Sequence, residues 1–211
     1  RRHTRLQGDW SSDVCSSDLF VNGLPVNMPT HAHGQGYSDL NFLIPELVDH
    51  IDYRKGPYFA KNGDFGAAGS ADIAYRQVLA RPFAAVTLGQ RGYERLVGGG
   101  SGALAPEVNV MGAVELMRNN GPWTVHEGLH KSNGVITASS GTRARGWSAS
   151  LMAYDAHWTS TDQIPQRLID AGRYAGQPFG RFDSLDPTDG GRTRRNSVSA
   201  EWHQEIGRAH V

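Results

Sequence analysis

From position 83 onward, apolar and polar residues alternate along the chain with a period of two. Residues 107–117 carry the pattern most cleanly. Val108, Val110, Gly112, Val114 and Leu116 fall on one face; Glu107, Asn109, Met111, Ala113, Glu115 and Met117 fall on the other. Successive side chains of a strand point to opposite faces, so this spacing predicts a strand with one apolar side. Residues 193–203 repeat it, setting Val198, Ala200 and Trp202 against Arg195, Ser197, Ser199, Glu201 and His203. Residues 147–158 form a third run, and 83–89 and 93–100 form two more around a glycine turn at Gly92. The connections alternate in length: 103–106 and 141–146 are short, whereas 120–131 and 160–192 are long. That layout predicts an antiparallel meander with short turns at one rim and long loops at the other. An outer-membrane barrel is built this way, its apolar face toward lipid and its polar face toward the lumen. A soluble β-sandwich also alternates; the strand length and the loop asymmetry favour the barrel. Trp123, Trp147, Trp158 and Trp202 stand near strand ends, where they suit an interfacial girdle as well as a packed core.

The pattern changes at Arg81-Pro82. Before it, segments are short and punctuated by glycine. Val21-Asn22-Gly23-Leu24-Pro25-Val26 reads as strand, turn, strand, and Gly34, Gly36, Gly56, Gly63, Gly66 and Gly69 mark loops. Residues 44–50 read as one helical turn, with Pro45 at a tolerated first position and Glu46 near its positive end. Residues 50–54 and 70–75 read as strands.

The two ends change what is read as protein. Glu205 to Val211 can be encoded GAG ATC GGA AGA GCA CAC GTC, and the opposite strand of that DNA translates as Asp-Val-Cys-Ser-Ser-Asp-Leu, the sequence of residues 13–19. The DNA resembles a common short-read sequencing adapter, and Gly8-Asp9-Trp10-Ser11-Ser12 resembles its continuation. Residues 1–19 and 205–211 are therefore set aside as adapter-derived, leaving 20–204 as a piece of a longer gene. Cys15, the only cysteine, lies in the excluded stretch, so no disulfide framework or thiolate metal site is expected. Charge is balanced, with 21 basic and 21 acidic residues and no basic run, which argues against nucleic acid as a partner. No stretch approaches the ~20 apolar residues of a membrane helix, which excludes helical spanning and leaves strands open. Nucleophile–base constellations, phosphate-cradling loops and the H-E-x-x-H motif are absent from the sequence, so neither an enzyme nor a cofactor is expected.

Residues 20–75 resemble the C-terminal half of the plug domain of TonB-dependent outer-membrane receptors. That plug carries a V-D-G-x-P-V strand, here Val21-Asn22-Gly23-Leu24-Pro25-Val26. It carries a hydrophobic strand running into R-G-P, here Ile51-Asp52-Tyr53-Arg54-Lys55-Gly56-Pro57. A glycine loop and a last strand follow, here Gly63, Gly66 and Gly69, then Ala71-Asp72-Ile73. Lys55 stands where the family usually has Arg, Asn62-Gly63 where many siderophore receptors have Tyr-Gly, and Ser70 replaces one glycine of a pair. The resemblance implies a mainly β fold: a partial α+β plug at 20–81, then an incomplete, unclosed transmembrane barrel at 82–204. The latter would be about six strands of a barrel of roughly 22.

It also implies transport, not bond-making. A ligand such as a siderophore or other metal chelate, cobalamin or an oligosaccharide would be imported across the outer membrane of a Gram-negative bacterium. TonB would supply force through a segment outside this sequence, and outer-membrane lipid would surround the wall. Residues 29–39 would form an apical plug loop that presents His31, His33, Gln35 and Tyr37 to ligand. Residues two apart on an extended segment share a side, so His31 and His33 are a candidate donor pair for a metal or an anionic chelate; two histidines without a third ligand are a poor metal site. Tyr58, Phe59, Lys61 and Asn62 would form a second apical loop. Arg54 and Lys55 would meet acidic residues of the barrel wall, with Glu107, Glu115 and Glu201 as lumen-facing examples. His126, His130, His157 and Trp158 fall in or beside outer loops. Two rival readings remain: a soluble metal-dependent enzyme using His31 and His33, and a passive porin or adhesin.

Overall fold

The computed structural model describes residues 17–31, 34–60, 62–142, 144–159 and 163–206. The chain forms two compact units, residues 1–76 and 77–211, dividing just before the sequence boundary at Arg81-Pro82.

The first unit is a four-stranded sheet, β1 (Ser17–Val21), β2 (Leu24–Pro25), β3 (Val48–Lys55) and β4 (Gly69–Tyr75), in the order β2-β1-β4-β3. β1 runs parallel to β4, and the other pairings are antiparallel. The β1–β2 hairpin turns on Asn22 and Gly23, both in the left-handed region at φ 50° and 72°. Two such residues in sequence make the tight turn whose twist matches its flanking strands, and Asn-Gly is the pair that adopts it most readily. Asn22 also accepts from the Tyr75 amide at 2.7 Å, tying the turn to β4. A single 3-10 turn, Pro45–Leu47, stands where a helical turn is expected, with the proline at its start. Val21, Val26, Phe42, Ile44, Leu47, Ile73 and Tyr75 are buried as its core, and the Tyr75 hydroxyl accepts from the Ile44 amide at 2.8 Å. The adapter-like stretch enters this sheet: Ser17, Asp18 and Leu19 pair with Gly69, Ser70 and Ala71, so the described fold begins three residues before Phe20.

The second unit is a six-stranded meander: β5 (Phe83–Leu88), β6 (Glu94–Ala105), β7 (Val108–Asn119), β8 (Leu129–Gly141), β9 (Arg145–Thr159) and β12 (Gly190–Gln204). All neighbours are antiparallel, and β5 and β12 are open edges, so the sheet does not close. The tight connections 106–107 and 142–144 share one rim; 89–93, 120–128 and 160–189 share the other. The longest of these contains structure of its own: helix α1 (Gln166–Ala171) and a small hairpin, β10 (Arg173–Tyr174) with β11 (Gln177–Pro178).

Burial in this sheet is inverted relative to a soluble protein. The apolar stripe is exposed, with Val114 at 49%, Ile136 at 56%, Leu151 at 55% and Val198 at 75%. The opposite face is buried and largely polar: Glu115, Asn133, Thr137, Ser139 and Ser150 lie there with Val97, Met111, Val135 and Tyr154. Water penalises exposed apolar area by about 25 cal/mol per Å², so such a stripe is stable only against an apolar surrounding. Strand registers confirm that the two sets occupy opposite faces: Val97, Glu115, Asn133, Tyr154 and Arg195 form one cross-strand row, and Leu96, Leu116, Ser132, Asp155 and Arg194 the next.

The outward apolar zone has a slanted upper edge. The last non-polar outward residue before the long-loop rim is Leu88 on β5, Leu96 on β6 and Leu116 on β7; on β8, β9 and β12 it is Gly134, Ala153 and Val198. The row that starts at Leu88 runs through Glu94, Arg118, His130 and His157 to Arg192, so at β12 the edge has retreated six residues, from Arg192 to Val198, over five pairings. With about 3.4 Å per residue and about 4.8 Å between strands, a flat plane produces this slope on strands tilted by roughly 40°. Strands of transmembrane barrels tilt by about 35–45°. At the short-turn rim Trp147 and Trp202 are register partners on the outward face, the position of an aromatic girdle.

Candidate ligand-binding site

The first candidate loop, 29–39, is anchored at its base by the side chain of Asn27. Asn27 accepts from the Leu19 amide at 2.7 Å and donates to the Ser17 and Gly36 carbonyls at 2.9 Å each. Met28 and the 36–37 segment exchange two backbone bonds of 2.8 Å, closing the loop into a hairpin. Across it, the His31 imidazole stacks on the Tyr37 ring with centroids 4.1 Å apart and planes 12° apart. Gln35 is exposed at the tip. His33, the intended partner of His31, lies outside the described residues. Among the described residues, no group of three or more His, Cys, Asp or Glu is placed to hold a metal ion.

The second candidate loop follows β3. Gly69 sits at φ 149°, and a Cβ there would collide with the Arg54 carbonyl, so only glycine lets β4 start this close to the end of β3. Tyr58 stands 83% exposed beyond it. The Arg54 guanidinium lies 4.6 Å over the Phe59 ring, a cation–π contact. Asn62 donates to the Ser70 hydroxyl at 3.0 Å and, through its backbone, to the Phe59 carbonyl. Lys61 lies outside the described residues, and Lys55 ends β3 as an exposed side chain.

Arg54, Asn62 and Ser70 also line a polar hollow of about 230 Å³ with Asp52 and Asp72. The register produces this convergence, since Asp52 pairs with Asp72 and Arg54 with Ser70. Neither aspartate is among the candidate ligand contacts above; the alternation His50, Asp52, Arg54 on one face of β3 is the sequence signal that points to them. On that face His50 bonds Asp49 at 2.9 Å and lies 3.7 Å from Asp52. The hydrogen bond to Asp49 raises the His50 pKa and lowers that of Asp49.

The buried charge of the sheet unit is already partnered within the wall. Glu115 lies 2.6 Å from Arg95 and 2.8 Å from Lys131, on the neighbouring strands. His130 and His157 lie at strand ends beside the long loops, as register partners on the outward face stacked at 5.1 Å. Trp158 lies on the opposite face. The long loops are joined by a cluster that the sequence did not flag. Thr124 donates its amide to the Phe182 carbonyl at 2.9 Å and its hydroxyl to Asp183 at 2.7 Å, while Trp123 packs on Phe182. The Thr124 bond, followed by one from the Gly180 amide, holds the Asp183 carboxyl below its usual range.

No family model matches the sequence, and no curated protein does. Solved structures do match. The siderophore receptor PiuA from Acinetobacter baumannii aligns over 91% of this chain with a TM-score of 0.67 and 14% identity. The ferric enterobactin receptor PfeA from Pseudomonas aeruginosa aligns over 91% with a TM-score of 0.57 and 14% identity. The siderophore receptor PirA from Acinetobacter baumannii aligns over 69% with a TM-score of 0.53 and 13% identity. The chain covers 27%, 31% and 24% of those proteins respectively. These matches are receptors, and the family resemblance read from the plug motifs holds at the level of fold: this chain has the fold of part of a siderophore receptor, a small mixed sheet followed by an unclosed antiparallel wall.

Proposed function

We propose that residues 20–204 are a segment of a TonB-dependent receptor that imports a scarce ligand across the Gram-negative outer membrane. On this reading residues 20–81 are the later part of the plug and 82–204 the first wall strands, with adapter-derived residues at either end. The observation that carries it is the exposed apolar stripe with its edge sloped at the angle of tilted membrane strands. The ligand class best supported is a metal chelate of the siderophore type, from the likeness to PiuA and PfeA; cobalamin and similar chelates share the same demands.

His31, Gln35 and Tyr37 on one loop, and Tyr58, Phe59 and Asn62 on the other, are the proposed ligand contacts, with His33 and Lys61 beside them. Aromatic faces and neutral donors of this kind suit a bulky, hydrogen-bonding chelate. Arg54 and Lys55 are proposed to hold plug to wall until TonB pulls.

The test is uptake. Gram-negative cells stripped of their own siderophore receptors and supplied with the uninterrupted receptor gene should accumulate ferric siderophore, and should stop when TonB is deleted. Accumulation that persists without TonB would mean a passive pore, and none with any chelate would remove the import reading.

A further inference from the structure

The segment that joins the two units is tied down on either side of a short gap. Arg76 donates its amide to the Leu47 carbonyl at 2.9 Å, which holds it to the first unit. Three residues on, one side chain takes both backbone polar groups of Leu79. The Leu79 amide donates to the Ser101 hydroxyl at 2.8 Å, and that hydroxyl donates to the Leu79 carbonyl at 3.0 Å. Leu79 is buried, whereas Gln77 and Val78 are exposed. Farther along, the Phe83 ring lies across Gly99, where a Cβ would come within 3.0 Å of it. Ser101 and Gly99 alternate along β6 with Val97, the row-mate of Glu115, so all three face inward. The strap 79–83 therefore crosses the inner face of β6 and belongs to the wall.

Pro82 sets where the strap leaves the sheet. It has no backbone N–H to give the ladder, and β5 pairs with β6 only from Phe83 onward. Continued pairing would set Arg81 opposite Ser101; the serine hydroxyl instead reaches Leu79, two residues farther back. A hydroxyl both donates and accepts, so it satisfies the two Leu79 groups at once, where burial makes a bare amide or carbonyl costly. Between the ties at Arg76 and Leu79 stand Gln77 and Val78, whose φ and ψ give four soft dihedrals. We propose that Ser101 pins the strap to the wall and thereby confines the hinge between the units to Gln77 and Val78. Without the pin the free tether grows to residues 77–82, from about 7 to about 20 Å of reach. The use of this hinge in import rests on the function proposed above: a plug drawn by TonB turns at Gln77 and Val78 while the strap stays seated.

The whole chain in phosphocholine micelles tests the pin. The Leu79 amide should exchange with solvent more slowly than those of Gln77 and Val78. Order parameters should lie below about 0.6 at Gln77 and Val78 and near about 0.85 at Leu79. S101A should speed Leu79 exchange by about fivefold to thirtyfold, the loss of one hydrogen bond, and extend the low order parameters through residues 79–81. S101T, which keeps the hydroxyl, should restore both. Should S101A fail to fold, the parent chain decides, on Leu79 against its two neighbours. A Leu79 amide that exchanges as fast as Val78, or is indifferent to S101A, overturns the pin. The uninterrupted receptor in cells tests the hinge. Oxidising L79C/S101C fixes the strap to the wall, and TonB-dependent accumulation of ferric siderophore should match that of the reduced form. Accumulation that returns only on reduction means the strap must peel away, and overturns the two-residue hinge. An unsubstituted receptor that accumulates nothing removes the import reading and leaves the pin to be judged by exchange.

Discussion

At the residue scale, the plug unit offers a titration whose direction is fixed by geometry. The Asp49 carboxylate beside the His50 ring favours the protonated imidazole, so the folded pKa of His50 lies above its usual value near 6.5. A group whose pKa rises on folding binds its proton more tightly in the native state. Its stabilising effect is therefore complete below about pH 6.5 and fades as pH climbs through the folded value. Both side chains are solvent-exposed, so the effect belongs to the titration curve more than to the melting curve. NMR titration of His50 in the detergent-solubilised chain should give a pKa above 6.5, and D49N should bring it back down. A His50 unaffected by D49N would mean that Asp49 is not its partner in solution. Individual residues of this kind were the least legible part of the sequence. Asp52 and Asp72 lie 20 positions apart and meet only because β3 pairs with β4 in one register. Arg54 was legible as a charge, but its place over Phe59 depends on how the loop after Gly56 folds back.

At the element scale, far more could be read beforehand, because period-two alternation is a local signal and the strand turns were spelled by glycine, asparagine and proline. β3, β4, β7 and β9 fall where alternation put them, within two residues at either end. β6 runs on past Gly100 to Ala105, because Gly98, Gly100 and Gly102 continue the outward face with no side chain to reveal it. α1 was illegible: six residues with no capping side chain and no buried face leave no periodic trace. The apolar face that alternation marks from Val108 to Leu116 is the exposed one, with Val114 and Leu116 both open to the surroundings, and this has a quantitative consequence. Leu151 lies outward, two residues below the slanted edge at Ala153 and six from His157. Leu151→Arg should cost about 1–3 kcal/mol in denaturant unfolding from micelles, between the interfacial and mid-depth values for a cation on the lipid face. Ser199→Arg, on the inward face of β12, should stay within about 1 kcal/mol, since a polar lumen accepts charge. Equal penalties on both faces would contradict a lipid-facing stripe.

At the scale of the whole molecule, two features pull against solubility. The sheet exposes Val86, Leu88, Leu96, Val114, Leu116, Ile136, Leu151, Val198 and Trp202 on one continuous face. It also leaves β5 and β12 unpaired, each with a row of backbone donors and acceptors that a closed barrel would satisfy. Apolar area of that extent drives self-association in water, and the open edges supply a template for strand-to-strand pairing between copies. Of the two edges, β12 with fifteen residues is the long template and β5 with six the short one. Detergent covers the apolar face but cannot pair the edges, so the two liabilities separate experimentally. The chain alone in buffer should sediment as large aggregate with β-rich circular dichroism. In micelles the aggregates should shrink to small oligomers that still pair at their edges, and a proline in β12 at Val198 should reduce these further by removing an edge donor. A monomer in plain buffer that melts cooperatively would show that the exposed stripe finds cover within the chain itself, and the membrane assignment of this wall would fall with it.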